Sequence, residues 1–441
     1  MLALASCKSS PPVRTETRTD EPVAAVDEPP TYANRIAAIL ERRCASCHAE
    51  GGIGPMPLTT FEEARTHAGA IGFQTKARTM PPWLPETKAC APLQHARTLD
   101  DDELRAVTRW IESGAPEGTG PVKRAPPPAQ TYGALAAKPD RVVVPDEAYT
   151  PKRARADDYH CFVLDPKLER PERIVGLRIA PGLPALVHHV LLFEVRASAV
   201  PKITELDARD PGPGYSCFGG IGVMPTVRPG NLVKGELVDF DAQMIVGWAP
   251  GAGATDIAGA PTALPAGTAI KLAPGSRLVM QVHYSLENAS PIPAKVGADR
   301  TRVDMWTAPE GAALRQAVWV PLLKYDFRVP AGAGPGDPRA TARAEYELPL
   351  PLEVLGVAPH MHLRGSSIKV ETFTDDDPAS CLLDVPRWSF HHQEGYWLSK
   401  GVRARKAAIT CTWDNRTSKR ELRWGEGTND EMCLAFLYAT L

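Results

Sequence analysis

Two hydrophobic periods divide this chain. Across residues 32–43 the apolar side chains of Ile36, Ile39 and Leu40 share one face at helical spacing. Residues 100–113 repeat that period with Leu104, Val107 and Ile111. This segment opens on Asp100 and Glu103 as a capping box and ends at Gly114, where a C-terminal cap belongs. Beyond about residue 135 the period shortens to two. Segments 173–179, 186–195, 277–285, 367–373, 407–413 and 433–440 read as strands. Turns such as Pro211-Gly212-Pro213-Gly214 and Pro265-Ala266-Gly267 separate them. The pattern predicts a multidomain chain: a small all-α domain over 31–118, a Pro-rich linker over 119–135, and two all-β units, each a sandwich or jelly roll, over 136–292 and 293–441.

Composition adjusts this picture in a few places. The chain has 441 residues and a net charge of −2 with both signs mixed, so nothing points to nucleic acid as a partner. Its 44 prolines are about double the usual 5% share, which suits many short strands and turns. No apolar run reaches the length of a membrane helix. Residues 1–7 end in Leu4-Ala5-Ser6-Cys7, which resembles a bacterial lipoprotein signal cleaved before Cys7, although no basic stretch precedes it. Residues 8–30, rich in Ser, Thr, Pro and Glu, read as a disordered tether. The expectation is a protein of the bacterial cell envelope, on the periplasmic side, held to a membrane through lipid on Cys7.

Cys44-Ala45-Ser46-Cys47-His48 is the first chemical motif. Two thiols at this spacing add to the vinyl groups of a haem, and the next histidine lies under the iron. A thioredoxin-like pair would follow a strand rather than a helix, and a zinc knuckle would need a second ligand pair nearby. The 31–118 segment therefore reads as a class I cytochrome c domain. Met80, stiffened by Pro81 and Pro82, is the candidate sixth ligand. Met56 is expected near the haem edge, and His67 and His95 on the surface.

The β region concentrates histidines. His188 and His189 are adjacent in one apolar strand, His283 lies in another, and His360 and His362 flank Met361. Residues i and i+2 of a strand share a face, so His360 and His362 present paired imidazoles. His188 and His189 reach one metal only if their strand bulges or ends there. Imidazole inside apolar strands is costly without a partner, which favours metal ligation. No carboxylate stands beside these histidines in sequence, unlike a zinc hydrolase motif. A thioether such as Met432, set among polar residues, selects copper(I).

Taken in order, His188-His189, Gln281-Val282-His283-Tyr284, His360-Met361-His362 and Asp430-Glu431-Met432-Cys433 resemble the copper type II ascorbate-dependent monooxygenases. Gly247-Trp248-Ala249-Pro250 and Tyr159-His160-Cys161 add to the resemblance, which covers about residues 140 to 441. It implies two jelly-roll domains facing each other across a solvent gap, each holding one copper. It implies that His188, His189 and His283 bind an electron-transfer copper, while His360, His362 and Met432 bind the copper where O₂ is activated. It also implies disulfides Cys161–Cys217 and Cys411–Cys433, leaving Cys90 and Cys381 unassigned.

Certain positions depart from the peptide-amidating members of that family. Ala358 stands where those members hold a substrate carboxylate with arginine, and Leu434 and Phe436 replace an asparagine and a tyrosine. A neutral or aromatic small substrate is therefore expected. The cofactors expected are two copper ions, one covalent c-type haem and an external reductant, either ascorbate or an electron-carrier protein. Alternative readings are a copper-binding or storage lipoprotein, and an electron-transfer haem protein with degenerate copper domains. His391-His392 hints at a third metal site but fits a polar loop better.

Overall fold

The computed structural model describes residues 28–45, 47–50, 54–82, 85, 89–94, 98–125, 135–152, 157–184, 186–218, 220–223, 227–229, 238–249, 262–286, 297–374, 379–390 and 392–440. Cys7, His95, His391, the middle of the expected linker and residues 287–296 at the expected break between sandwiches lie outside them.

The two helices that the periodicity predicts both form, with two further helices between them. Tyr32–Ile36 runs into α1, Ala37–Arg43, and Ile36, Ile39 and Leu40 are buried. After α2 (Phe61–Thr66) and α3 (Ala68–Lys76) comes α4, Asp101–Glu112. In α4 the Asp100 carboxylate accepts from the Asp102 and Glu103 amides while Glu103 reaches back to the Asp100 amide. This reciprocal cap satisfies donors that the first helical turn leaves orphaned. Trp110, Val107 and Ala106 bury against Ile36 and Leu40 in a small cluster. No helix among the described residues is long and apolar enough to cross a membrane.

The rest is predominantly β. The strands that matter here are β1 (Arg141–Val143), β2 (Asp157–Leu164), β3 (Glu172–Ala180), β4 (Val187–Val195), β5 (Tyr215–Ser216), β6 (Ala242–Trp248), β7 (Thr268–Leu272) and β8 (Arg277–Ser285). They continue as β9 (Arg302–Thr307), β10 (Arg315–Leu323), β11 (Thr341–His360), β12 (Gly365–Phe373), β13 (Ser380–Val385), β14 (Tyr396–Trp413) and β15 (Leu434–Thr440). A five-stranded sheet orders them β5-β2-β8-β4-β6. An eleven-stranded sheet runs β1-β9-β3-β7-β10-β15-β11-β14-β12-β13, with Thr262–Ala263 added beside β3.

That large sheet corrects the expected fold class, a small all-α cytochrome c domain followed by two jelly-roll sandwiches. β10 pairs in parallel with β7 on one side and antiparallel with β15 on the other, so one hydrogen-bonded sheet crosses both expected sandwiches. β9, from the second expected sandwich, pairs with β1 and β3 of the first. The cores are shared as well: Ala317 and Tyr438 pack into the cluster built on Ile174, Leu192 and Val282.

The N-terminal helical segment is likewise no separate all-α domain. Cys90 is disulfide-bonded to Cys381, and Leu93 forms a β-bridge with Leu398. The Gln94 amide donates to Trp397 O at 2.9 Å, and the Ser399 amide to Pro92 O at 2.8 Å. Ala91 and Leu93 pack against the core of the C-terminal strands. Helical periodicity specifies helices, and these long-range attachments decide whether those helices stand alone.

Candidate metal centre

β4 and β8 pair with His189 opposite His283 and Val187 opposite Tyr284, so the register slips by one residue and leaves His188 as the bulge. Two adjacent residues of a regular strand face opposite ways, and the bulge cancels that alternation. His188 Nδ1 lies 3.3 Å from His189 Nδ1, and His283 Nδ1 lies 3.4 Å from the same atom. All three ligand nitrogens fall within 4.8 Å of one another, and the rings cross in pairs at 63°, 70° and 66°. Imidazole nitrogens about 2.0–2.1 Å from one ion stand at comparable spacings, so the donor set fits a transition metal.

His283 is fully buried, and its other nitrogen, Nε2, donates to Asp157 Oδ1 at 2.8 Å. Thr428 Oγ1 donates to the same carboxylate oxygen at 2.7 Å. Sequence reading found no carboxylate beside the histidines; the fold brings one from the first residue of β2. Its signal lay only in the pairing of β2 with β8, which sets Ser285 opposite Asp157.

The second set grows from the end of β11. His360 closes that strand and His362 follows Met361, which is buried in the core. The two imidazoles sit 5.1 Å apart between centroids, at 89°. His360 Nδ1 donates to Gln393 Oε1 at 2.5 Å and His362 Nδ1 to Asp430 O at 3.2 Å. Both Nε2 lone pairs are thereby left for a metal. Met432 is buried two residues before Leu434, which pairs with His360 across β11 and β15. The disulfide Cys411–Cys433 pins the residue between them.

Glu431 holds this turn from beneath. Its carboxylate is fully buried and accepts from the His362 amide at 3.1 Å, the Trp413 indole at 3.0 Å and the Arg364 amide. Burial raises its pKa to about 7 against the pull of those donors. Sequence reading singled out neither Asp157, Gln393 nor Glu431 as supports.

The two histidine sets do not face each other across an open gap. His189 and His360 ring centroids are 6.2 Å apart. Phe390 stacks on His188 at 4.7 Å and lies 5.9 Å from His362. Burial pushes His360 down to about 3 and His362 to about 4; it also lowers His189 and His283, the former further by its neighbouring imidazoles. All four are therefore held neutral, the form that ligates.

Around the Cys44–Cys47 pair, neither cysteine forms a disulfide and both are half-buried, and His48 is buried with Nδ1 2.9 Å from Met56 O. A Cβ at Gly54 would lie 2.5 Å from His48 Nδ1, so only glycine fits there. Met80 stands half-buried after α3, while Met56 packs with Cys44 on the helical cluster. His67 caps the end of α2, and His392 bonds with Ser389. His160, on the opposite face of β2 from Tyr159, stacks on Tyr149 at 3.7 Å and bonds to Pro213 O.

Among the described residues three disulfides form: Cys90–Cys381, Cys161–Cys217 and Cys411–Cys433. The latter two are the pairs the sequence resemblance implies. A Cys411→Ala/Cys433→Ala variant should lose about 3 kcal/mol in denaturant unfolding, the chain entropy of a loop of this size. An unchanged midpoint would mean the bond contributes nothing to stability.

Residues 341–439 match the family model for the copper type II ascorbate-dependent monooxygenase, C-terminal domain. That span carries His360 and His362, together with Met432 and the Glu431 beneath them. Among solved structures, an allantoicase overlaps 66% of this chain and 80% of its own at 11% identity and a TM-score of 0.18. The major capsid protein P2 from bacteriophage PM2 covers 68% and 97% at 8% identity and a TM-score of 0.23. A fucolectin from striped bass (Morone saxatilis) serum covers 67% and 89% at 9% identity and a TM-score of 0.15. Overlaps this weak carry no functional information.

Proposed function

We propose that this protein is a copper-dependent monooxygenase that hydroxylates a C–H bond of a small substrate with O₂. The observation that carries the reading is the convergence of five imidazoles in two sets. One of those sets lies inside the segment matching the copper monooxygenase model. His188, His189 and His283 hold an electron-transfer copper, and His360, His362 and Met432 hold a second. Bound copper supplies one-electron transfer and oxygen activation. Overall, the substrate C–H, O₂, two electrons and two protons give C–OH and water.

The chain's own contribution is orientation. Gln393 and the Asp430 carbonyl keep protons on the Nδ1 atoms of His360 and His362, so neither ring can turn its N–H toward the metal. Ala358 pairs with Phe436 and His360 with Leu434, which sets an apolar, half-exposed strip on the sheet face carrying His360. Such a strip receives a neutral or aromatic group and keeps water from the reacting carbon.

Electrons come from ascorbate or an electron carrier. A haem bound through Cys44 and Cys47, with His48 and Met80 as axial ligands, is a route for them. The Met56 carbonyl fixes the His48 tautomer and leaves Nε2 for iron. The disulfides agree with an oxidising envelope compartment, and Cys7 would supply the lipid anchor there.

Metal analysis of the purified protein, combined with reductant-dependent O₂ uptake, tests this. Two coppers per chain are expected, and His188→Ala should lower that count by one. An unchanged count would remove His188 from the site, and copper that never consumes O₂ would mean storage rather than turnover. Covalent haem should be lost in Cys44→Ser; a full haem spectrum in that variant would remove the attachment.

A further inference from the structure

Two residues of β2 touch both His283 and the turn that precedes Met432. Asp157 and Tyr159 are i and i+2 of that strand, so they project from the same face. Tyr159 pairs with His283 across β2 and β8, and the two rings stack at 4.1 Å and 8°. Its hydroxyl donates to Glu426 O at 3.0 Å. Asp157 Oδ1 accepts from His283 Nε2 and from Thr428 Oγ1. Glu426 and Thr428 belong to the turn that leads directly into Met432. The disulfide Cys161–Cys217 and the Cys217 amide bond to Tyr159 O, at 3.1 Å, stiffen β2 at this point.

From this juxtaposition we propose that Asp157 and Tyr159 are positioning residues that serve both metal sites: they set the ring and tautomer of His283 and clamp the turn delivering Met432. The inference rests on the copper reading above and deepens it. Asp157 keeps the His283 proton on Nε2, so the Nδ1 lone pair faces His188 and His189. In the other tautomer a proton on Nδ1 would occupy the place of the metal. The stacked Tyr159 ring holds the imidazole plane, which the hydrogen bond alone leaves free to rock. Because the same carboxylate oxygen also receives Thr428, a shift of the Met432 turn is felt at His283, and the reverse holds as well.

The test uses the full-length chain, stripped and reloaded with copper alone. Asp157→Asn should weaken Cu(II) at the three-histidine site roughly 10–100-fold in chelator competition, the usual effect of losing a partner that orients a ligand. It should also change the Cu(II) EPR hyperfine splitting of that site. Asp157→Glu should recover most of both. The Thr428→Val/Tyr159→Phe variant keeps the carboxylate on His283 and should leave that affinity near wild type. It should instead shift the infrared band of carbon monoxide bound to Cu(I) at the Met432 site. Thermal unfolding of the copper-free variants serves as the control for folding. Wild-type affinity and EPR in Asp157→Asn would overturn the His283 half, and an unmoved carbon monoxide band in Thr428→Val/Tyr159→Phe would overturn the clamp. A wild-type chain holding no copper that His188→Ala removes would instead sink the copper reading itself, and this inference with it.

Discussion

Met432→Leu is expected to keep the fold and the His360–His362 pair while lowering oxygen-dependent turnover on the order of 100-fold or more. Leucine fills nearly the same buried volume as methionine, and such swaps cost below about 1.5 kcal/mol. The lost atom is the soft sulfur, the donor that in the proposed site would favour copper(I) over harder or oxidised metals. Partners that merely orient a metal ligand are worth about 10–100-fold, so a ligand itself should reach at least the top of that range. Copper content should fall far less than turnover, because two neutral imidazoles with fixed tautomers remain. O₂ uptake and product formation near wild type would remove Met432 from the oxygen site.

Glu431→Leu should be the most destabilising single change around the site, costing roughly 3–5 kcal/mol in denaturant unfolding. Three donors converge on this fully buried carboxylate: the His362 and Arg364 amides and the Trp413 indole, itself fully buried against Phe327. Leucine leaves all three without an acceptor in a place water does not reach, at about 1–3 kcal/mol each before relaxation. Glu431→Gln retains an acceptor oxygen and should cost distinctly less. A loss below about 1 kcal/mol in Glu431→Leu would mean that water or backbone movement replaces the carboxylate.

Local chemistry was legible wherever neighbours in sequence decide it. The capping box of Asp100 and Glu103 needs only three residues' separation, and it forms as the sequence predicts. The need for a bulge at His188-His189 followed from strand alternation, and the register slip between β4 and β8 supplies it. The histidines of each set were recognisable because imidazoles in apolar strands demand partners. Their supports were not. Asp157 reaches His283 from 126 residues away, Gln393 reaches His360 from 33, and Glu431 reaches His362 from 69. Partners at such separations leave no spacing rule to find them by.

The same limit explains the fold. Periodicity in the sequence by itself determined that the helices over 32–43 and 100–113 precede the strands, and that His188, His189, His283 and His360 lie in strands, whereas His362 falls just past the end of its strand. It could not determine how strands from distant parts of the chain pair. The parallel pairing of β7 with β10 joins strands of the two expected sandwiches in one sheet, beside a separate five-stranded sheet, and the Cys90–Cys381 bond ties the helical segment to the strands. The 6.2 Å approach of His189 to His360 brings β4 of the five-stranded sheet beside the end of β11 in the large one. Strand pairing and core sharing are set by side-chain contacts over long loops, whose closure entropy grows only slowly with length. Sequence distance therefore exerts little control over which edges meet, and the tertiary structure alone decided how closely the two sites approach each other.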